Sequence, residues 1–327
     1  MPSHAFRVVA ATLVGAVLLI SIPAHADDYP SRAVRVVVPQ AAGGATDIYA
    51  RKIAQALSER WNQTVMVENR GGAGGVIGTD AVAKSPPDGY TLLVTYEGSQ
   101  AINPSLYTPL PFDSVKDFQP IATIAVTPFF LVASTTLPAK TLPDLLALAR
   151  DKTRPLNYGS AGIGSVNHLL GAMLNAQARI DLQHVPYRGA SQALADVIGH
   201  QVDMAFASVP SSLASIQERQ VQPLAVSSAR RLSVAPDIPA IAEFGFPDFN
   251  VNPWWGILGP KGMDPALVAK INADVAAAMK APGMGDFFAA QGADILISSP
   301  EQFAALLKAD IDKWAKVVKA AGLTPGQ

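Results

Sequence analysis

The chain has no cysteine. That excludes thiol catalysis, disulfide staples and Cys-based metal sites, and it leaves a hydrophobic core as the source of stability. Charge is also sparse. Only 16% of residues are Asp, Glu, Lys or Arg, and the formal net charge is -1. Such a surface has no basic field to draw nucleic acid or an anionic membrane, so no nucleic-acid partner is expected. Histidine is limited to positions 4, 25, 168, 184 and 200, with no HExxH pair. Neither a metal site nor a cofactor is expected. There is no GK[ST] tripeptide, which excludes a P-loop. After residue 20 no apolar run approaches the roughly 20 residues that a membrane span needs.

What is present begins with an export signal. Arg7 precedes an apolar run from Val8 to Ile20, and Ala24-His25-Ala26 forms an A-x-A cleavage site. This reads as a signal peptide over 1–26, too short in its apolar part to anchor. Its removal would leave 327 − 26 = 301 residues, expected to be soluble and outside the cytoplasm. With 49% hydrophobic residues, that length suits two domains or one large one.

Strand and helix signals then alternate. VRVVV (34–38) is a β-branched run, and Ile48, Ile53, Ala56 and Leu57 recur at helical spacing over 46–60. Further strands are expected over 64–67, 90–95, 121–126, 129–133, 156–158, 182–185, 204–207, 223–227 and 295–297. Helices are expected over 79–84, 142–150, 166–177, 190–198 and most of 265–321. Repeated βα units predict an α/β fold with mostly parallel sheets. The alternation breaks at Pro128 and in the Pro/Gly-rich stretch 236–260. Two chain crossings between two α/β lobes would explain both breaks. One sheet with a long loop is the alternative.

Three glycine loops sit between a strand and a helix: 39–47 (PQAAGGATD), 71–78 and 159–165 (GSAGIGS). None fits G-x-G-x-x-G. After Gly72 and Gly74, position 77 is Ile, and after Gly162 and Gly164, position 167 is Asn. A helix start offers unpaired N–H groups and the positive end of the peptide dipole, and glycine lets an anion approach closely. The first and third loops could therefore hold carboxylates without a side-chain cation, with Thr46, Ser160 and Ser165 as hydroxyl donors. Equally, the glycines could serve only tight turns. Ser165 and His168 share a helix face at i, i+3 but lack a G-x-S-x-G frame, so a hydrolase is the weaker reading. Asp47 reads as a brace for its loop. Trp254 and Trp255 could line a cleft or pack a junction, and Glu97 could face a ligand or water.

Six segments together resemble one family: VVVPQAAGGATDIYAR (36–51), VENRGGAGGVIGTDAVAKSPPDGYTLL (67–93), INPSLY (102–107), NYGSAGIGSVNHL (157–169), VPYRGASQALADVIGHQVD (185–203) and APDIPAIAEFGFPDF (235–249). In this order, across nearly the whole mature chain, they resemble the Bug-type solute receptors of tripartite tricarboxylate transporters. The resemblance implies a two-lobed, Venus-flytrap periplasmic binding protein, type II-like, with hinge strands between the lobes. Lobe one would comprise 27–127 plus 246–327, and lobe two 128–245. A small carboxylate, aliphatic or aromatic, would sit between the lobes and be delivered to membrane transporter subunits. The protein would be a monomer and not an enzyme. A sensor acting through a signalling partner, or a periplasmic hydrolase, remains the alternative.

Carried over from the family, the contacts fall on Ala41, Ala42, Gly43, Gly44 and Asp47 of the first loop. In the third they fall on Ser160, Gly162, Gly164, Ser165 and His168. Tyr187 and Arg188, Ala207 and Ser208 would line lobe two, and Tyr96, Glu97 and Ser99 lobe one. The loop 71–78 would be architectural, at the rim. Two departures bear on specificity. Gln40 stands where the family often has an aromatic residue. Glu97 stands where small or neutral residues are common, and an acidic group there would repel a second carboxylate or attract an ammonium or amide.

Overall fold

Two β-sheets, each flanked by helices, organise the chain. The computed structural model describes residues 29–320 and 322–323; the expected signal peptide lies outside them. The chain runs β1 (Val34–Val38), α1 (Ala45–Trp61), β2 (Val65–Asn69), α2 (Val76–Ala83), β3 (Thr91–Tyr96), α3 (Asn103–Leu106) and β4 (Phe118–Val126). Then come β5 (Phe129–Ser134), α4 (Leu142–Ala149), β6 (Asn157–Ser160), α5 (Val166–Ala178), β7 (Gln183–Pro186), α6 (Ala190–Ile198), β8 (Met204–Ser208), α7 (Val209–Gln217) and β9 (Val221–Val226). The last part is β10 (Trp254–Pro260), α8 (Pro265–Met279), α9 (Met284–Ala290), β11 (Asp294–Ile295) and α10 (Pro300–Ala320).

The first sheet has the order β11-β4-β10-β3-β1-β2, and the second β7-β6-β8-β5-β9. Strands β1, β2 and β3 are parallel, as are β6, β7 and β8. Near-continuous apolar strands such as VRVVV and TLLVTY are buried, as parallel strands covered on both faces must be. In open α/β sheets the crevice beyond the carboxyl ends of the strands is where ligands bind. Here β1, β3, β6 and β8 all end at the gap between the two sheets.

The chain passes between the sheets at Thr127-Pro128, and again between β9 and β10. The two passes are bonded to each other. The Thr127 N–H donates to Pro253 O (3.2 Å), and the Ser227 hydroxyl to Val251 O (2.8 Å). Ser227 Oγ in turn accepts from the Phe129 N–H (2.9 Å). The result is a short two-stranded joint between two lobes.

Three elements lie where the sequence pattern gave no warning, one of them the single-turn helix α3. Strand β10 is central to the first sheet, antiparallel to both β3 and β4, within the stretch read as irregular. Its prolines and glycines hide it. Gly256 lacks a side chain because Phe303 of α10 packs there: a Cβ would lie 2.5 Å from the ring. Helix α7 was not expected because Pro210 falls near its start, a position where proline is accommodated.

Gly256→Ala should therefore overpack the junction of β10 and α10. A loss of about 1–3 kcal/mol is expected by chemical denaturation. Wild-type stability in that variant would contradict the packing described.

Candidate functional site

Four helices begin at the gap between the lobes. Gly44 precedes α1 and Gly189 precedes α6, and neither start has a side-chain cap. The first-turn amides of both helices therefore have no partner within the helix. Ser165 caps α5 by accepting from the His168 N–H (3.2 Å), and Ser208 precedes α7. Each start brings a partial positive charge to the same place.

Between them is a small cavity of about 30 Å³. Lobe one contributes Gln40, Ala41, Gly44, Ala45, Thr46, Tyr96 and Trp255; the other side is Phe129, Ala161, Asn167, Ala190 and Ser208. None of these side chains is charged. Trp255 lies between Tyr96 and Phe129, with ring centroids at 6.0 and 6.5 Å, so it touches rings from both sheets. Its Nε1–H donates to Thr46 Oγ1 (2.9 Å), leaving the Thr46 O–H available as a donor. Space of this size holds one or two waters, so a four- to six-carbon acid must part the walls to enter.

The lobes are in contact around the cavity. The Tyr107 hydroxyl donates to Ile163 O (2.8 Å), and the Ser191 hydroxyl to Ala42 O (2.9 Å). The loop 71–78 meets the other lobe here. Gly74 has φ +61°, and a Cβ on it would lie 2.4 Å from Ile163 O. This glycine loop thus serves lobe contact. A wider hollow of about 560 Å³ opens at the rim beside Gly74, Tyr107, Gly162, Tyr187 and Arg188.

The expected site residues divide by these placements. Gln40, Ala41, Gly44, Tyr96 and Ser208 line the cavity. Ala42 offers its carbonyl to Ser191, and Ser99 Oγ bonds Gln40 and Gly74 behind the wall. Gly162, Tyr187 and Arg188 are at the rim, and Gly164 packs against Asn103. Asp47 braces its loop, accepting from the Gly43 N–H (3.0 Å) and pairing with Arg51 (2.9 Å). Burial pushes its carboxyl up, but Arg51, the Gly43 amide and Asn69 together hold it below the ordinary range.

Others face away. Glu97 is buried against α10, where the Trp314 Nε1–H donates to it and Lys313 Nζ lies at 3.2 Å. Burial pushes its carboxyl up, opposed by Lys313. Its expected role facing the ligand is corrected: that carboxylate anchors the end of β3 to α10. Ala207 lies within β8, buried in the core and paired with Phe130 of β5. Ser160 and Ser165 are engaged within their own loop: the Ser165 hydroxyl donates to Gly162 O (2.6 Å), and Ser160 Oγ accepts from the Gly162 N–H (3.0 Å). His168 lines a separate hollow, stacked on His184 at 4.1 Å.

Ser160 Oγ lies 2.6 Å from His184 Nε2, a pair the spacing did not suggest. No carboxylate bonds His184 among the described residues, and burial, with His168 beside it, pushes that imidazole down to about 3. Such a group is a poor general base near neutrality. The cavity residues absent from the expected contacts are Ala45, Phe129, Ala161, Asn167 and Ala190. Gly189-Ala190 carried the available signal, a glycine directly before a helix.

A family model described as the tripartite tricarboxylate transporter family receptor matches residues 49–323. Protein BugT of Bordetella pertussis is 34% identical over 304 residues, covering 93% of each chain. Two solved structures from Rhodopseudomonas palustris share the fold. Rpa4515 with adipate has TM-score 0.88 and 34% identity, covering 91% of this chain and 100% of that one. MatC (Rpa3494) with bound malate has TM-score 0.84 and 32% identity, covering 89% and 100%. The two lobes are those of the periplasmic binding proteins.

The stacked histidines generate a pH prediction. Burial pushes His168 down to about 4 and His184 to about 3, below the ordinary 6.5. The unfolded chain therefore takes up protons first as pH falls. Their stabilising contribution is complete above 6.5 and is lost as pH falls toward 4 and 3. Each histidine should cost about 1.4 kcal/mol per pH unit in that window. Thermal unfolding between pH 6.5 and 4 should show the decline, with a slope smaller by about one proton in His184→Gln. Equal slopes would contradict it.

Proposed function

This chain belongs to the tripartite tricarboxylate transporter receptor family, and on that premise we propose that it captures a small carboxylated solute in the periplasm. The solute binds between the lobes, and the closed receptor delivers it to the membrane subunits of a tripartite transporter. The protein acts as a monomeric receptor without catalysis. The observation that carries this reading is a cavity with no charged wall, ringed by helix starts, two of them uncapped. Main-chain amides and helix dipoles suit an anion. Each contact contributes about 0.3–1 kcal/mol, up to about 2 when partly buried, so several must act together. Adipate and malate, bound by the two relatives, support a carboxylate of this size.

In this reading the lobes are 27–127 plus 246–327, and 128–245. They rotate about the paired passes at 127–129 and 251–253. The amides of Gly44 to Asp47 and of Ala190 to Gln192 hold the carboxylates. Thr46, Tyr96, Asn167 and Ser208 add polar contacts, and Trp255 forms the floor. Parting the lobes breaks the bonds of Tyr107 to Ile163 and Ser191 to Ala42; closure restores them and excludes water.

Ala190→Glu places a carboxylate at the start of α6, where the solute's own charge should sit. Calorimetry with adipate and malate should show binding in wild type and none in this variant, with its thermal stability retained. Arg188→Ala, at the rim, should change affinity by no more than about threefold. Undiminished binding in Ala190→Glu would sink the proposal.

A further inference from the structure

The cavity also carries acceptors that a plain carboxylate cannot satisfy. Asn167 is 3% exposed and lines the cavity from lobe two. Its Nδ2 donates to Phe206 O (2.5 Å), and since a carbonyl only accepts, this bond fixes which way the amide points. No hydrogen bond among the described residues reaches Asn167 Oδ1. Gln40 is 8% exposed and lines the cavity from lobe one. Its Nε2 donates to Ser99 Oγ (3.0 Å), whose own proton goes to Gly74 O (3.2 Å). Gln40 Oε1 is then buried with no partner. Gln40 and Asn167 thus bring an amide from each lobe to the lining of the same small space.

A buried acceptor without a partner is costly, and a carboxylate offers only further acceptors. We propose that the solute carries a neutral hydrogen-bond donor, a hydroxyl or a carboxamide N–H, beside its carboxylate, and that Asn167 Oδ1 and Gln40 Oε1 read it. The inference rests on the receptor reading above and narrows its ligand class. An ammonium donor fits less well. Helix starts surround the site with positive potential, and no acidic side chain lines it: Asp47 is tied to Arg51, and Glu97 is turned to α10.

The test is calorimetry on the purified protein with acids matched but for the donor: succinate against malate, glutarate against 2-hydroxyglutarate, benzoate against its hydroxybenzoates. Aspartate is added as the ammonium counterpart of malate. In any pair that binds, the hydroxy acid should bind at least about tenfold tighter than its parent. Aspartate should be weaker than malate. Gln40→Met and Asn167→Ala, each checked for folding by thermal unfolding, should shrink the ratio of hydroxy-acid to parent-acid affinity. The ratio in wild type decides even if a variant fails to fold. Parent acids binding as tightly as their hydroxy forms would overturn the donor inference and leave the receptor reading standing. Aspartate tighter than malate would overturn the neutral donor. An undiminished ratio in both folded variants would overturn the assignment to these residues. No binding by any acid would overturn the receptor reading itself.

Discussion

A buried anion must be met by positive charge or by hydrogen-bond donors. The cavity lining carries no charged side chain, so in the proposed reading main-chain N–H groups at helix starts are the donors. That constraint orders much of the surrounding structure. The strands of both sheets must end at one gap, so that the helices that follow begin there. The residues before α1 and α6 must carry no capping side chain that would occupy the amides; both are glycine. The wall residues must be small, and Ala41, Ala45, Ala161 and Ala190 keep the backbone within reach.

Trp255 joins this arrangement to the passage between the lobes. It stands at the start of a strand that pairs on both sides in the first sheet. Yet its ring also meets Phe129, the first residue of the second sheet. The passes between the lobes lie directly beside these two residues. The polar wall, the aromatic floor and the joint thus lie together, and Gly74 meets Ile163 of the other lobe at the rim. The cluster of Glu97, Lys313, Trp314 and Asp310 secures the end of β3 from behind, fixing Tyr96 without entering the cavity.

Much of this was legible in the sequence because it depends on backbone geometry. The loops 39–47 and 159–165 announced helix starts through their glycines, and the break at Pro128 marked the first pass. Side-chain direction was not legible. The i, i+3 spacing of Ser165 and His168 gives a shared helix face but not what that face meets, and His168 meets His184. Glu97 directly follows a strand that ends at the cleft, yet its own backbone already turns into a helical conformation and its carboxylate meets Trp314 and Lys313 of α10. Ala190 has no side-chain chemistry to draw attention to it, and it enters the cavity wall only as the first residue of α6. Strand β10 was hidden because its pattern includes the glycine that Phe303 requires.

The measurement that tests this account most directly is a crystal structure of the protein with a bound acid. The account predicts carboxylate oxygens on the first-turn amides of α1 or α6, above the Trp255 ring, with no cationic side chain beside them. A solute held instead in the rim hollow, its carboxylate paired with Arg188, would contradict it.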